Sequence, residues 1–242
     1  MSGRLDDPAL VASEYADDAR LRRRAAAYTG VGTAVDARGP AVAAVVEAHP
    51  ARILEVGCGW GELSDWLARE TGAEVVAIDL SPRMVELARA RGVAAEVGDV
   101  QALRFEDGAF DVAVAAWMLY HVPDLDRALA ELARVLRPGG RLVAVTNSRF
   151  HLHELRELVG SGPSTLTFAR ETGEELLARH FATVRREDVD GTLEFADRAE
   201  VDEYVRASIS MSPFANNLPA TIAEPCVARR ANSIFVAERV EG

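Results

Sequence analysis

Glu55, Gly57, Gly59 and Gly61 alternate along the stretch Ile53-Leu54-Glu55-Val56-Gly57-Cys58-Gly59-Trp60-Gly61-Glu62-Leu63. An apolar run of strand type stops at the acid, the glycines turn the chain, and a helical pattern begins. Glycine lets the backbone come close to a ligand because no Cβ stands in the way. The helix that follows offers unpaired N–H groups and the positive end of its dipole. The pattern predicts a strand–loop–helix ligand cradle of the doubly wound α/β kind. Without a ligand, the same residues make a tight strand-to-helix turn. Dinucleotide-binding turns carry glycine at the first, third and sixth positions. Counting from Gly57, the sixth is Glu62, which would set a carboxylate beside the phosphates.

Three further groups stand where a parallel sheet binds ligands, beyond the carboxyl ends of its strands. Asp79 ends the run Glu74–Asp79, and a carboxylate there can accept from both hydroxyls of a ribose. Asp99 and Val100 follow Gly98 at the end of a third strand pattern, where an aspartate also serves as a plain turn residue. Ala115, Ala116 and Trp117 end a fourth, and small residues there let a ligand lie against the backbone. His121 lies just past that strand, and His151 and His153 follow the fifth. Imidazoles titrate near neutral pH, so each is a candidate base as well as a packing residue. Cys58 sits inside the glycine loop, where small size accounts for it. With Cys226 it is one of two cysteines, which fits a reduced compartment and no disulfide framework. No cysteine–histidine cluster has zinc spacing, and no metal is expected.

These positions need elements to hold them. Residues 1–30 carry Leu10, Val11, Tyr15, Ala19, Leu21 and Tyr28 at helical spacing and read as helices over the cradle. Val42 to Ala48 is another helix. Strands are expected at Arg52–Val56, Glu74–Asp79, Val93–Val97, Phe110–Trp117, Arg141–Thr146, Phe181–Val189 and Ser233–Glu238. Helices lie between them: one ended by Gly72, one opened by Ser81 and Pro82, and one ended by Pro138-Gly139-Gly140. Thr172 with Glu175 and Asp197 with Glu200 read as helix-opening boxes. The alternation predicts an α/β, doubly wound, mostly parallel seven-stranded sheet. It carries an N-terminal helical cover (1–48), a ligand-binding core (50–147), substrate-side elements with a cap (148–231) and a final strand (232–239). The insertion 191–231 is the expected cap, and the whole chain, 1–242, is read as one domain.

The 242 residues are 49 % hydrophobic, enough for a sizeable core, and carry a formal net charge of -11. A net acidic surface repels phosphate backbones and argues against nucleic acid as a partner. Arg20, Arg22, Arg23 and Arg24 form the one dense basic run, read as a solvated helix face. The N-terminus lacks a signal-peptide run and no stretch is long enough to span a membrane. The expectation is a cytoplasmic chain with no membrane partner.

The stretches ILEVGCGWGEL, VVAIDLS, AEVGDVQAL, FDVAVAAWMLYHVPD and LRPGGRL occur in this order. Together they resemble the class I S-adenosylmethionine (SAM)-dependent methyltransferases, in the group that includes ubiquinone and menaquinone biosynthesis enzymes. The resemblance covers residues 50–147, and the final strand more weakly. It implies a Rossmann-like methyltransferase fold with SAM as cofactor and S-adenosylhomocysteine (SAH) as product. In that reading Gly57, Cys58 and Gly59 form the cofactor loop and Glu55 supports the methionine ammonium. Asp79 takes the ribose, Asp99 the adenine amino group, and the N–H of Val100 a ring nitrogen. Leu80 and Met84 would face the adenine, Met84 reading equally as core. Ala115, Ala116 and Trp117 would meet the methionine part; Tyr15 and Tyr28 in the N-terminal cover either close over it or pack in the core. The implied reaction is in-line methyl transfer to O, N or C of a small molecule. A base (His121, His151 or His153) is needed only if the acceptor must lose a proton. The alternatives are SAM binding without transfer and an NAD-dependent dehydrogenase, against which Glu62 counts. No Asn-Pro-Pro-Tyr motif follows strand four, which argues against amino-group methylation of a nucleobase or glutamine. Leu152, Leu155, Phe168, Phe195, Ile209, Met211, Phe214 and Leu218 fit a partly apolar acceptor pocket and equally fit core packing.

Overall fold

A computed structural model describes residues 5–16, 18–27 and 36–240. Among them the chain runs α1 (Pro8–Glu14), α2 (Ala19–Ala27), α3 (Arg38–Val46), β1 (Arg52–Val56), α4 (Glu62–Thr71), β2 (Glu74–Asp79), α5 (Pro82–Ala90), β3 (Ala94–Val97), β4 (Phe110–Ala116), α6 (Leu125–Val135) and β5 (Leu136–Asn147). It continues with α7 (His153–Val159), α8 (Gly173–Leu177), β6 (Thr183–Phe195), α9 (Arg198–Ala207) and β7 (Cys226–Glu238). The seven strands form one sheet in the order β3-β2-β1-β4-β5-β7-β6. The first five are parallel, and β7 runs antiparallel to both β5 and β6. The chain turns outward in opposite directions from β1 and from β4, so a crevice opens between their carboxyl ends.

Alternation along the strands sorts the core into two layers. Leu54, Val56, Ala113, Ala115, Leu142 and Ala144 pack with Leu129 and Leu132 of α6 on one face. Ile53, Val112, Val114, Val143 and Val145 pack with Val42 and Val45 of α3 and Leu67 of α4 on the other. Strands β1, β2 and β4 accordingly read as near-continuous apolar runs, as strands buried on both faces should. Local signals set the helix ends. The Ser81 hydroxyl accepts from the Met84 N–H with Pro82 at the first turn, and Gly72 ends α4 in the left-handed region at φ 67°. Asp197 accepts from the Glu200 N–H while Glu200 accepts from the Ala196 N–H, a reciprocal opening of α9.

The structure departs from the sequence reading in four places. Strand β5 begins at Leu136, pairs Phe110 with Leu136, and slips register before Val112 meets Arg141. Pro138-Gly139-Gly140 thus lies inside an irregular strand rather than in a helix-terminating turn. Thr172 makes no cap bond to α8; its hydroxyl accepts from the Ala169 N–H at 3.2 Å. Strands β6 and β7 pair from Thr183↔Glu238 to Phe195↔Cys226. The ladder consumes residues expected in the cap, which shrinks from 191–231 to 196–225. The final strand accordingly starts at Cys226, not at 232. Among the described residues no helix is long and apolar enough to cross a membrane.

Candidate active site

The crevice at the carboxyl ends of the strands is a cavity of about 820 Å³. Loops after β1, β2, β3 and β4 form one end. Residues from β5, α7, the cap and β7 form the other, and α1 and α2 lie across it. Of the residues singled out from sequence, Glu55, Gly57, Cys58, Gly59, Asp79, Leu80, Asp99, Val100, Ala116, Trp117, His121 and His151 line this cavity. Tyr28 lies outside the described residues. Met84 is fully buried in the sheet–helix core, and so is Ala115, whose strand neighbours Val56 and Ala144 flank it. His153 sits on the outer side of α7, paired to Glu157 at 3.2 Å one turn on, and does not reach the cavity.

The glycine loop is shaped as its sequence requires. Gly57, Gly59 and Gly61 have φ of 67°, 54° and 79°, where a side chain is disfavoured. A Cβ on Gly57 would lie 2.7 Å from the Met118 side chain, whereas one on Gly59 would meet no protein atom within 4 Å. At Gly59 the backbone itself is the cavity wall.

Three carboxylates surround this end. Alternation along β1 turns Glu55 toward α4, where its carboxylate accepts from the Ser64 hydroxyl. Burial pushes the Glu55 carboxyl up to about 8, opposed by the Ser64 bond and reinforced by the charge of Asp79. Asp79 accepts from the Gly59 N–H and the Ser81 N–H, each at 2.9 Å, one per oxygen. Burial raises its pKa too, against those two bonds. A carboxylate has roughly four acceptor positions, so both oxygens can accept further. Asp99 accepts from the Gln101 N–H at 2.8 Å. Leu80 is 55 % exposed at the cavity rim, an apolar side chain with an uncovered face.

The histidine partners fix both tautomers. The Leu5 carbonyl can only accept, so His121 donates from Nδ1 at 2.8 Å, and Nε2 accepts from the Tyr15 hydroxyl at 3.1 Å. Burial lowers the His121 pKa to about 4. The Ala231 N–H donates to Nδ1 of His151 at 3.1 Å, which leaves Nε2–H as a donor. Burial and then the charges of Arg156 and Arg230 lower the His151 pKa to about 3. Neither imidazole offers the cavity a lone pair. Burial likewise pushes the Cys58 thiol far up, so it is no nucleophile.

Sequence reasoning missed the basic end. Arg24 is no solvated residue: it bonds Glu14, donates to the Ala207 carbonyl at 2.7 Å and lines the cavity. Arg156 and Arg230, also on the cavity, are 7 % and 6 % exposed. A signal existed for both. Leu152, Leu155, Arg156 and Val159 form one helical stripe in which an arginine takes a core position. Arg230 shares the inward face of β7 with Cys226 and Ala228. Of the apolar residues expected to line the acceptor pocket, Leu152, Ile209 and Met211 do, whereas Leu155, Phe195 and Leu218 form the core beneath the cap.

Residues 54–144 match the family described as "Methyltransferase domain". The chain is 37 % identical over 158 residues to methyltransferase GfsG of Streptomyces halstedii, a match covering 62 % of this chain and 56 % of that protein. It is 42 % identical over 115 residues to a ubiquinone biosynthesis O-methyltransferase of Xanthomonas oryzae pv. oryzae, covering 45 % and 48 %. The chain thus spans about half the length of these curated relatives. Among solved structures it resembles the [4+2]-cyclase SpnF at 21 % identity and a TM-score of 0.59, covering 88 % of this chain and 85 % of that one. At that identity the likeness is one of fold. The matched segment carries the likeness to a methyltransferase domain, and the solved structures share the fold.

Proposed function

We propose that this chain, whose residues 54–144 form a class I methyltransferase domain, binds SAM and methylates a small-molecule acceptor. The observation that carries the reading is the convergence of Glu55, Asp79 and Asp99 on one cavity around a glycine loop whose Gly59 backbone is bare. Carboxylates suit a ligand with an ammonium, ribose hydroxyls and an exocyclic amine, and oppose a pyrophosphate. The residues present therefore fit SAM, which when bound supplies a sulfonium-borne methyl group: the S–C bond breaks, an acceptor–C bond forms, and SAH leaves.

The chain aligns and excludes water. Asp79 takes the ribose hydroxyls through the acceptor positions left by Gly59 and Ser81. Asp99 and the Val100 N–H read the adenine edge, with Leu80 covering its face. Glu55 ionises beside the ammonium that offsets its burial. The lone pair of His121 accepts from the Tyr15 hydroxyl and that of His151 from the Ala231 N–H, so no imidazole removes a proton, and the acceptor reacts through an atom already nucleophilic at neutral pH.

Thermal unfolding tests the cofactor, since a ligand of the folded state raises the midpoint. SAM and SAH should raise it and NAD should not. No shift with SAM or SAH would overturn the reading. The shared fold of a [4+2]-cyclase favours, as second reading, binding without transfer. Release of SAH on incubation with an acceptor panel separates the two.

A further inference from the structure

At the end of the cavity away from the glycine loop, α7 carries a guanidinium with no counter-ion among the described residues. Arg156 is 7 % exposed. It donates from Nε to the His151 carbonyl at 3.2 Å, from Nη1 to the Gly162 carbonyl at 3.5 Å and from Nη2 to the Ser210 hydroxyl at 2.8 Å. All three partners are neutral. No carboxylate acts on it, and its pKa is lowered by burial, against the tyrosine Tyr204. Five N–H groups less these three leave two without a protein acceptor. Neighbouring arginines differ: Arg170 pairs with Asp188 and Asp190, and Asp36 feels the charge of Arg230.

A buried charge without a partner is costly, and a hydrophobic isostere of the same size is often at least as stable. A chain of net charge -11 has acids to spare, yet none of the described residues sets one here. Besides Ser210, which Arg156 touches, the cavity it lines presents Ser164, Asn232 and Arg230, with the apolar Leu152, Leu166 and Met211. The arrangement suits an organic anion: an apolar body with oxygens for the guanidinium.

We propose that Arg156 binds an anionic oxygen group, a carboxylate or a phosphate ester, on the methyl acceptor. The assignment rests on the SAM-methyltransferase reading, since it takes the opposite end of the cavity for the cofactor. It narrows the acceptor to acids, and excludes neutral quinols and free amines lacking an acidic group.

The test uses the full chain saturated with SAH and two matched pairs of probes, benzoate against benzamide and phenyl phosphate against phenol. The anionic member of at least one pair should raise the midpoint and its neutral partner should not, and which pair responds distinguishes the two sources of charge. In Arg156→Met the anion's affinity should fall roughly tenfold to a hundredfold, the range of a charge-assisted bond. The SAH shift should persist, and the unliganded midpoint should hold or rise. Arg156→Lys should restore part of the binding. Anion binding equal in Arg156→Met and wild type, or absent in both, overturns the assignment. So does a fall in the unliganded midpoint of Arg156→Met, which marks a structural tie, or loss of its SAH shift, which marks a cofactor ligand. No SAH shift in the wild type instead overturns the methyltransferase reading.

Discussion

Burial pushes the Glu55 carboxyl up to about 8, so the folded state holds its proton more tightly than the unfolded chain does. Below the ordinary carboxylate value of 4.5 the group is neutral in both states and costs nothing. As pH rises from there through about 8, stability drains away. Glu55→Gln should therefore match the wild-type midpoint in acid and exceed it by a few degrees in mild alkali without ligand, while binding SAM more weakly. Scanning calorimetry across that range checks it. The glycines make a second contrast. Gly57→Ala drives a Cβ to 2.7 Å from Met118 and should unfold the loop. Gly59→Ala meets no protein atom within 4 Å and should cost only the left-handed backbone penalty, about 1–2 kcal/mol. Its SAH affinity should fall far more than that stability loss. Glu55, Asp79 and Asp99 are legible in sequence because each ends a strand before a turn. Arg156 is not, because a single charge in a seven-residue helix sits in no motif. Only its place in an apolar stripe betrays it.

The N-terminal cover is stitched to the sheet rim by single atoms. Leu5 and Tyr15 hold both nitrogens of His121, and the Tyr15 carbonyl accepts from the Ser81 hydroxyl at 2.7 Å, at the start of α5. Tyr15→Phe strands the Nε2 lone pair in a buried site, a cost of about 1–3 kcal/mol. Amides of α1 and α2 should then exchange faster while those of β1 and β4 stay protected. His121 adds a pH dependence of opposite sign to that of Glu55. Its folded pKa, about 4, lies below the ordinary 6.5, so the stability it confers is present above 6.5 and lost as pH falls through 4. His121→Asn should flatten that acid limb, followed by the same exchange measurement. Strands β1, β2 and β4 are readable to within a residue, because burial on both faces leaves continuous apolar runs. The sequence reading ends β6 early, at Val189 rather than Phe195, because it is an edge strand whose polar run, Arg185, Arg186, Glu187 and Asp188, shows no apolar alternation to follow.

Across the whole molecule, five parallel strands frame the end of the cavity proposed for the cofactor, and later elements assemble the end proposed for the acceptor. The tie of Arg24 on α2 to the Ala207 carbonyl of α9 joins cover to cap over the cavity. The cap's far tip, Pro219 to Thr221, is exposed. A short Gly-Ser insertion after Ala220 should leave both the unfolding midpoint and the SAH shift within error of wild type. The cap's extent was not legible because its flanks, 191–195 and 226–231, pair with each other across the sheet edge, a contact between distant residues that no local pattern encodes. That pairing has a further consequence. The excursion leaves and rejoins the ladder at facing partners, Phe195 and Cys226, so changes in its length need not shift strand register. The segment 196–225 can therefore be exchanged as one cassette between two fixed splice points while the β6–β7 ladder and the parallel strands stay in register.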